Sequence, residues 1–191
     1  MLKRIFLGLL LVLVALAAVV AVKTWTTPSR QLAVAPAPKP EIDLQAAAKR
    51  LAGAIPIRTV SSLDDPAANL AEFDKLHAYL AQKFPKVHAT LKKEVVGQKA
   101  LLYTWTGSDP QANPIALMAP QDMVPIAPGT EKAWSVDPFG GEIKDGFVWG
   151  RGTLDNKGNL FAQMEAIELL IASGFQPKPV SYTHLTLPTK A

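Results

Sequence analysis

The chain has 191 residues, with 20 Lys or Arg against 16 Asp or Glu, and a formal charge of +4 at pH 7. The basic residues are scattered and no aromatic side chains are interleaved with them, which argues against a nucleic-acid-binding protein. The absence of cysteine excludes disulfides, thiolate metal sites and a cysteine nucleophile. The length suffices for one folded domain beside shorter terminal segments.

A hydrophobic segment opens the chain. Two basic residues precede an unbroken apolar run from Ile5 to Val22, which Lys23 closes. A helix of that length extends about 27 Å, close to the ~30 Å hydrocarbon core of a bilayer, so residues 1–23 are predicted to be a membrane anchor. The preceding basic residues favour a cytoplasmic N-terminus with the body periplasmic or extracellular. The alternative is a cleaved signal peptide and a secreted body.

A linker and a first helix follow the apolar run. Residues 24–42 contain four prolines among small and polar side chains, which predicts an extended tether that holds the body off the membrane. Asp43 then precedes a helical pattern that ends near Gly53. The folded body is therefore predicted to begin at residue 43.

A second helix is predicted from Pro66 to Phe84. Asp65 suits its N-cap and Pro66 its first turn, because proline lacks the amide hydrogen that this turn leaves unbonded. Apolar side chains recur at helical spacing along the segment, and Pro85 is predicted to end it.

Strand patterns follow the second helix. Short apolar and β-branched runs predict two hairpins and one buried strand, and a final helix ends at Gly174. The Asp145-Gly146 pair predicts a tight type I′ turn in the second hairpin. The predicted segments are 94–96, 100–105, 115–119, 142–144, 147–149 and the helix 157–173. Because helices and strands alternate, the body is predicted to be α/β.

Two loops that follow predicted strands each carry an acid within a turn shaped by glycine or proline. The first loop, residues 118–125, contains Asp122, and the second loop, residues 150–158, contains Asp155. Loops at strand ends are where ligands bind in open α/β sheets. The residues alone therefore indicate a candidate site without defining its chemistry.

Several ordered stretches give these loops a family context. They are Arg58-Thr59-Val60-Ser61, Asp122-Met123-Val124-Pro125, Ala127-Pro128-Gly129-Thr130-Glu131, Trp134, Pro138-Phe139-Gly140-Gly141, and Asp145 to Gly152 running into Asp155-Asn156-Lys157-Gly158. From about Leu51 to Lys178 the chain resembles the zinc metallopeptidase family of aminoacylase, glutamate carboxypeptidase and dipeptidases. It most resembles the branch of vacuolar carboxypeptidase S and the N-acyl-amino-acid hydrolases.

The resemblance implies a fold, an activity and roles for two acids. The fold would be the N-terminal part of an αβα sandwich with a mixed sheet, and the enzyme would use two zinc ions to cleave C-terminal peptide bonds or N-acyl-amino-acid amides. Asp122 falls on the family's aspartate that orients a zinc-binding histidine, a catalytic supporting role. Asp155 falls on the carboxylate that bridges both metals. Without the flanking Gly-Arg-Gly and Lys-Gly, Asp155 would be better explained as a helix N-cap, and the alternative interpretation of Asp122 is a turn residue.

The chain departs from the family at two places. Pro120 occupies the position of the zinc-binding histidine, and proline offers no side-chain donor to a metal. Residues 179–191 contain no acid where the family has a Glu-Glu pair, and they resemble a translated sequencing adapter. We therefore expect residues 43–178 to be a truncated, inactive part of a catalytic domain, followed by a non-native tail. The alternative is a non-catalytic, membrane-tethered binding or scaffold protein with a degenerate metal site.

The remaining polar and aromatic residues receive ordinary interpretations. The three histidines, His77, His88 and His184, are interpreted as partly exposed side chains rather than metal ligands. The tryptophans at 105, 134 and 149 are interpreted as core or loop packing. For Arg151 and Lys157 the sequence does not distinguish a role in the geometry of the second loop from exposure to solvent.

Overall fold

The computed structural model describes residues 1–31, 34–36, 39–62, 64–65 and 67–186. The chain divides into two compact units, Met1–Pro40 and Glu41–Ala191. The first unit contains helix α1 (Leu2–Thr26), which is apolar and long enough to cross a membrane, a property that signal sequences share. The helix continues three residues beyond the predicted anchor, and part of the predicted linker lies outside the described residues.

The second unit is a mixed α/β body, as predicted. Its four-stranded sheet has the order β1-β2-β6-β3, in which β3 and β6 are parallel and the other neighbours are antiparallel. Strands β4 and β5 form a separate hairpin. The elements are α2 (Leu44–Ala54), α3 (Leu70–Lys83), α4 (Pro85–Thr90), β1 (Lys92–Val96), β2 (Ala100–Trp105), β3 (Ile115–Pro120), β4 (Glu142–Lys144), β5 (Phe147–Trp149), α5 (Lys157–Ala172) and β6 (Ser181–Thr186).

Local chemistry explains where several of these elements begin and turn. The Asp43 carboxylate accepts a hydrogen bond from the Ala46 amide at 2.9 Å, which caps α2. Asp145 and Gly146 both have positive φ, 53° and 80°, as the predicted tight turn requires. The short-range signals of the sequence therefore place these elements correctly.

The helix predicted from Pro66 begins later, at Leu70. Asn69 precedes it with a left-handed φ of 61°, a conformation that interrupts any helix entering from the N-terminal side. The predicted first-turn residue, Pro66, lies outside the described residues. Pro85 ends α3 as predicted and also starts the short helix α4, where the Glu168 carboxylate accepts hydrogen bonds from two first-turn amides.

The core of the second unit lies among α2 to α5 and strands β2 and β3. Its largest fully buried side chains include Tyr103, Phe84 and Phe161, and the rings of Phe84 and Phe161 are 5.6 Å apart. Its buried members are Ala54, Leu76, Leu80, Phe84, Val87, Leu91, Leu101, Tyr103, Trp105, Ala119, Leu160, Phe161, Met164 and Ile167. Strand β6, which pairs with β2 and β3, falls within the segment predicted to be a non-native tail, and that prediction stays untested.

Candidate functional site

The first loop leaves the sheet where β3 ends at Pro120 and runs beside residues 59–61. The Met123 amide donates to the Thr59 carbonyl at 2.9 Å, and Val60 forms an isolated parallel bridge with Met123. The Thr59 hydroxyl donates to the Gln121 carbonyl at 2.8 Å. These hydrogen bonds and the isolated bridge therefore hold the first loop against the segment that follows α2.

Asp122 is buried at the centre of this contact, with 7% of its surface exposed. The Ser61 hydroxyl donates to its Oδ2 at 2.6 Å, a short charge-assisted hydrogen bond. Burial raises the pKa of Asp122 above its ordinary value, the Ser61 hydrogen bond lowers it, and the nearby charge of Asp155 raises it. Ser61 belonged to a family-like stretch, yet its pairing with Asp122 was not predicted, because the two residues are 61 positions apart.

The second loop depends on glycine. Gly152 has a left-handed φ of 87°, and a Cβ at Gly158 would overlap the Thr153 carbonyl oxygen. The Lys157 amide donates to the Gly152 carbonyl at 2.9 Å, which closes the loop onto the start of α5. The peptide bond between Asp155 and Asn156 is cis. The backbone of this loop is thus fixed by its own hydrogen bonds and by the close packing of Gly158 against the Thr153 carbonyl.

Asp155 is exposed at the tip of the second loop. The N-cap of α5 is Asn156, one residue later, so the alternative interpretation of Asp155 as the helix N-cap is wrong. Within the described part of the chain, no hydrogen bond or ion pair engages the Asp155 carboxylate. The two loops approach each other, since a Cβ on Gly152 would lie 3.3 Å from the Met123 side chain, and the charge of Asp155 contributes to the raised pKa of Asp122.

His77 corrects the prediction of a partly exposed histidine. It is buried, with 9% of its surface exposed, and its Nε2 donates to the Gln121 side-chain oxygen at 2.8 Å. The burial arises from a tertiary contact 44 residues along the chain, which helical periodicity does not reveal. His88 is partly exposed, as predicted, and its Nε2 accepts from the Tyr103 hydroxyl at 2.9 Å. The side chain of His184 lies outside the described residues.

Trp105 and Trp134 pack as predicted, whereas Trp149 is exposed on its hairpin. Trp105 is buried in the core, and the ring of Trp134 lies under the Arg151 guanidinium at 5.2 Å. The Arg151 amide donates to the Pro138 carbonyl at 2.6 Å. The indole of Trp149 donates to the Lys144 carbonyl at 3.0 Å within its own hairpin. Arg151 therefore takes part in the geometry of the second loop, the first of the two possibilities that the sequence left open.

The residues of this chain do not fit a two-zinc centre. Pro120 brings no donor atom to the first loop, and Asp122 is already engaged by Ser61. In the described ranges no group of three or more His, Cys, Asp or Glu side chains is placed to hold a metal ion. Stable zinc sites need about three or four protein donors, so Asp155 alone does not make one.

Part of this chain matches a known protein family. Residues 116–185, which include both loops and most of β6, match the model of peptidase family M20/M25/M40. The chain carries sequence of an M20-family peptidase domain, which confirms the family inferred from the motifs.

Individual relatives agree with that family. The chain is 43% identical over 137 residues to carboxypeptidase S of Saccharomyces cerevisiae, and the match covers 68% of this chain and 24% of that protein. It is 45% identical over 139 residues to the N-fatty-acyl-amino acid synthase/hydrolase of Bos taurus, a match that covers 70% of this chain and 26% of that protein. The chain spans about a quarter of the length of these curated relatives.

A solved structure shows the same fold. The crystal structure of human carnosine dipeptidase 1 aligns with a TM-score of 0.60 at 22% identity, and the alignment covers 75% of this chain and 32% of that one. At this level of identity the likeness shows the fold alone. The mixed sheet and its helices are therefore the architecture of M20-family peptidases.

Proposed function

We propose that this chain is the N-terminal part of a membrane-anchored M20-type hydrolase that cleaves C-terminal peptide bonds or N-acyl-amino-acid amides. The arrangement of the two acids is the observation that carries the proposal. Asp122 is buried and fixed by Ser61, as suits a residue that orients a neighbour, whereas Asp155 is exposed and unengaged in the described structure, as suits a ligand. The names of the relatives, a carboxypeptidase and an N-fatty-acyl-amino acid hydrolase, support the two substrate classes.

The parent enzyme would use two zinc ions, and the chain with Pro120 and without further ligands would neither hold them nor turn over substrate. In a full-length gene recovered from an independent library, we expect a histidine codon at position 120. If Pro120 is found there, Pro120→His should restore stoichiometric zinc and hydrolysis of N-acyl-amino acids or peptides, and Asp155→Ala should then abolish both. A full-length protein with histidine at position 120 that binds zinc but keeps full activity as Asp155→Ala would contradict the assigned role of Asp155.

A non-catalytic, membrane-tethered binding or scaffold protein is the second candidate, and Pro120 is the observation that favours it. Independent reads of the same gene separate the two candidates. Pro120 confirmed in a continuous frame that also lacks the Glu-Glu pair would favour the scaffold, and histidine at that position with the pair present would favour the enzyme.

The proposed location is a single-pass anchor with a periplasmic or extracellular body. The apolar character and length of α1 support it. After expression in a bacterium, the chain should remain in the membrane fraction through an alkaline wash, and its body should be open to protease from the outer side. Recovery of a soluble product that begins between Lys23 and Ala37 would show a cleaved signal peptide instead.

Residues 179–191 are proposed to be absent from the natural protein, although β6 occupies part of them. The support is their lack of acids and their likeness to adapter sequence. The nucleotide sequence that encodes them should match adapter without gaps. A natural read that continues unbroken through the junction after Lys178 would contradict this proposal.

A further inference from the structure

Lys157, the first residue of α5, carries a fully buried charged side chain. Its Nζ donates to the Ala54 carbonyl at 2.8 Å and to the Ile57 carbonyl at 2.6 Å, and no carboxylate lies within ion-pair distance of it in the described structure. Taking an ammonium group out of water is costly, and here two main-chain carbonyls accept hydrogen bonds from it. An apolar side chain of similar length would avoid this cost. The reason for a buried amine must therefore lie in the groups that it holds in position.

The acceptors of this ammonium lie where α2 ends. Ala54 is the last residue of α2, and the carbonyls of a final helical turn lack intrahelical partners. A cation there is also favoured by the helix dipole. Lys157 thus caps α2 from a position about 100 residues later in the chain, and it fixes the direction in which the chain leaves that helix.

The segment that leaves α2 is the one that holds the first loop. Two residues beyond Ile57, Thr59 bonds the backbone of Gln121 and Met123, and Ser61 bonds the Asp122 carboxylate. The backbone amide of Lys157, meanwhile, donates to Gly152 of the second loop. Lys157 therefore closes its own loop, the second, through its main-chain amide, and its side chain contacts the segment that supports the first loop.

We infer that Lys157 is a positioning residue that sets the first loop against the second through residues 54–61. The connection runs from Gly152 to Lys157, from its ammonium group to Ala54 and Ile57, and onward to Ser61 and Asp122. Its relevance to catalysis rests on the proposed function. The connection itself is a property of this chain and does not depend on metal or activity.

Hydrogen exchange of the full chain in detergent micelles tests this inference. Lys157→Met removes the amine and keeps the length of the side chain. We expect the amides of Ser61 and Met123 to exchange at least about tenfold faster, while the amides of α3 from Leu76 to Leu80 change by less than about threefold. The matched control is Lys86→Met, which removes an exposed lysine from the same unit and should leave both sets unchanged.

A purely structural role would accelerate exchange uniformly through the core, and that result would overturn the inference. Unchanged exchange at Ser61 and Met123 in Lys157→Met would overturn it as well. If Lys157→Met does not fold, Lys157→Arg decides, because it keeps the charge and several donors. Native-like protection of the first loop in Lys157→Arg supports the inference, and loss of that protection contradicts it. None of these results depends on zinc or turnover, so they separate this inference from the proposed function.

Discussion

The two acid-bearing loops are held in place by different kinds of contact. The first loop is held from outside, by Thr59, Ser61 and His77, and it buries its acid. The second loop is held by its own glycines and main-chain hydrogen bonds, and it exposes its acid. In such a site, Asp122 is hydrogen-bonded within the protein, whereas the exposed Asp155 is free to contact a ligand in the described structure. The loop that depends on distant partners is also the one that carries Pro120, at the position proposed for the family's zinc-binding histidine.

The largest expected effect lies in the second loop, at Gly158. Gly158→Ala would drive a methyl group into the Thr153 carbonyl, and such overpacking costs up to about 3 kcal/mol of unfolding free energy. Denaturant unfolding measures the change. The control is Gly97→Ala, where φ is positive but the space is open, so that only backbone strain of about 1 kcal/mol is expected. Equal losses at the two positions would contradict the close approach described for the second loop.

The next effect lies in the first loop, at Ser61. Ser61→Ala leaves the buried Asp122 carboxylate without its hydroxyl donor, which should cost about 2 kcal/mol. Since that hydrogen bond lowers the pKa of Asp122, its removal should also raise the pKa further. Ser108→Ala, at an exposed hydroxyl, is the control and should change stability by less than about 0.5 kcal/mol. Similar losses from both changes would show that the contact between Ser61 and Asp122 is unimportant.

A smaller effect on the free energy of unfolding is expected from pH. It should arise at His77, which bonds Gln121 of the first loop. Burial lowers the pKa of His77 below its ordinary value of 6.5, although the hydrogen bond to Gln121 opposes this shift. Below pH 6.5 the unfolded chain therefore binds a proton at His77 more readily than the folded chain, and the free energy of unfolding falls as the pH drops. Unfolding at about pH 7 and about pH 5.5 should show a smaller loss in His77→Gln than in the parent chain. The same loss in both would place the acid sensitivity elsewhere.

The smallest effect on stability is expected at Asp155. Asp155→Asn alters an exposed carboxylate that has no partner in the described structure, so thermal unfolding of this chain should not change measurably. A clear loss of stability would mean that Asp155 has a structural role. The contrast between the hydrogen-bonded Asp122 and the exposed Asp155 would then no longer hold.

The parts of the fold that the sequence predicted depend on signals between near neighbours. The cap at Asp43, the Asp145-Gly146 turn and the helical spacing of α5 are all of this kind. The start of α3 was predicted wrongly, because the left-handed conformation of Asn69 leaves no periodic trace. The short helix α4 was also missed, since Pro85 was taken only as the end of the preceding helix.

In the candidate site, too, the sequence revealed some residues and not the distant partners that hold them. Its two acids were found in loops at the ends of predicted strands, and their roles, which the family resemblance implied, stay predictions. The partners Ser61, His77 and Lys157 were not assigned, because each acts on residues between 44 and about 100 positions away. No spacing rule within a single sequence connects such residues. Burial and hydrogen bonding in the folded body supply that information.

The central claim is that this chain has the architecture of an M20-family peptidase and that, of its two loop acids in the described structure, Asp155 rather than Asp122 is proposed to be available to a metal ion. The direct measurement is elemental analysis of the purified chain after incubation with zinc and dialysis. We predict well below one zinc ion per chain, and no change on Pro120→His alone, because the described residues bring together no group of three or more potential ligands. One tightly held zinc ion or more per chain would contradict the assignment of the ligands.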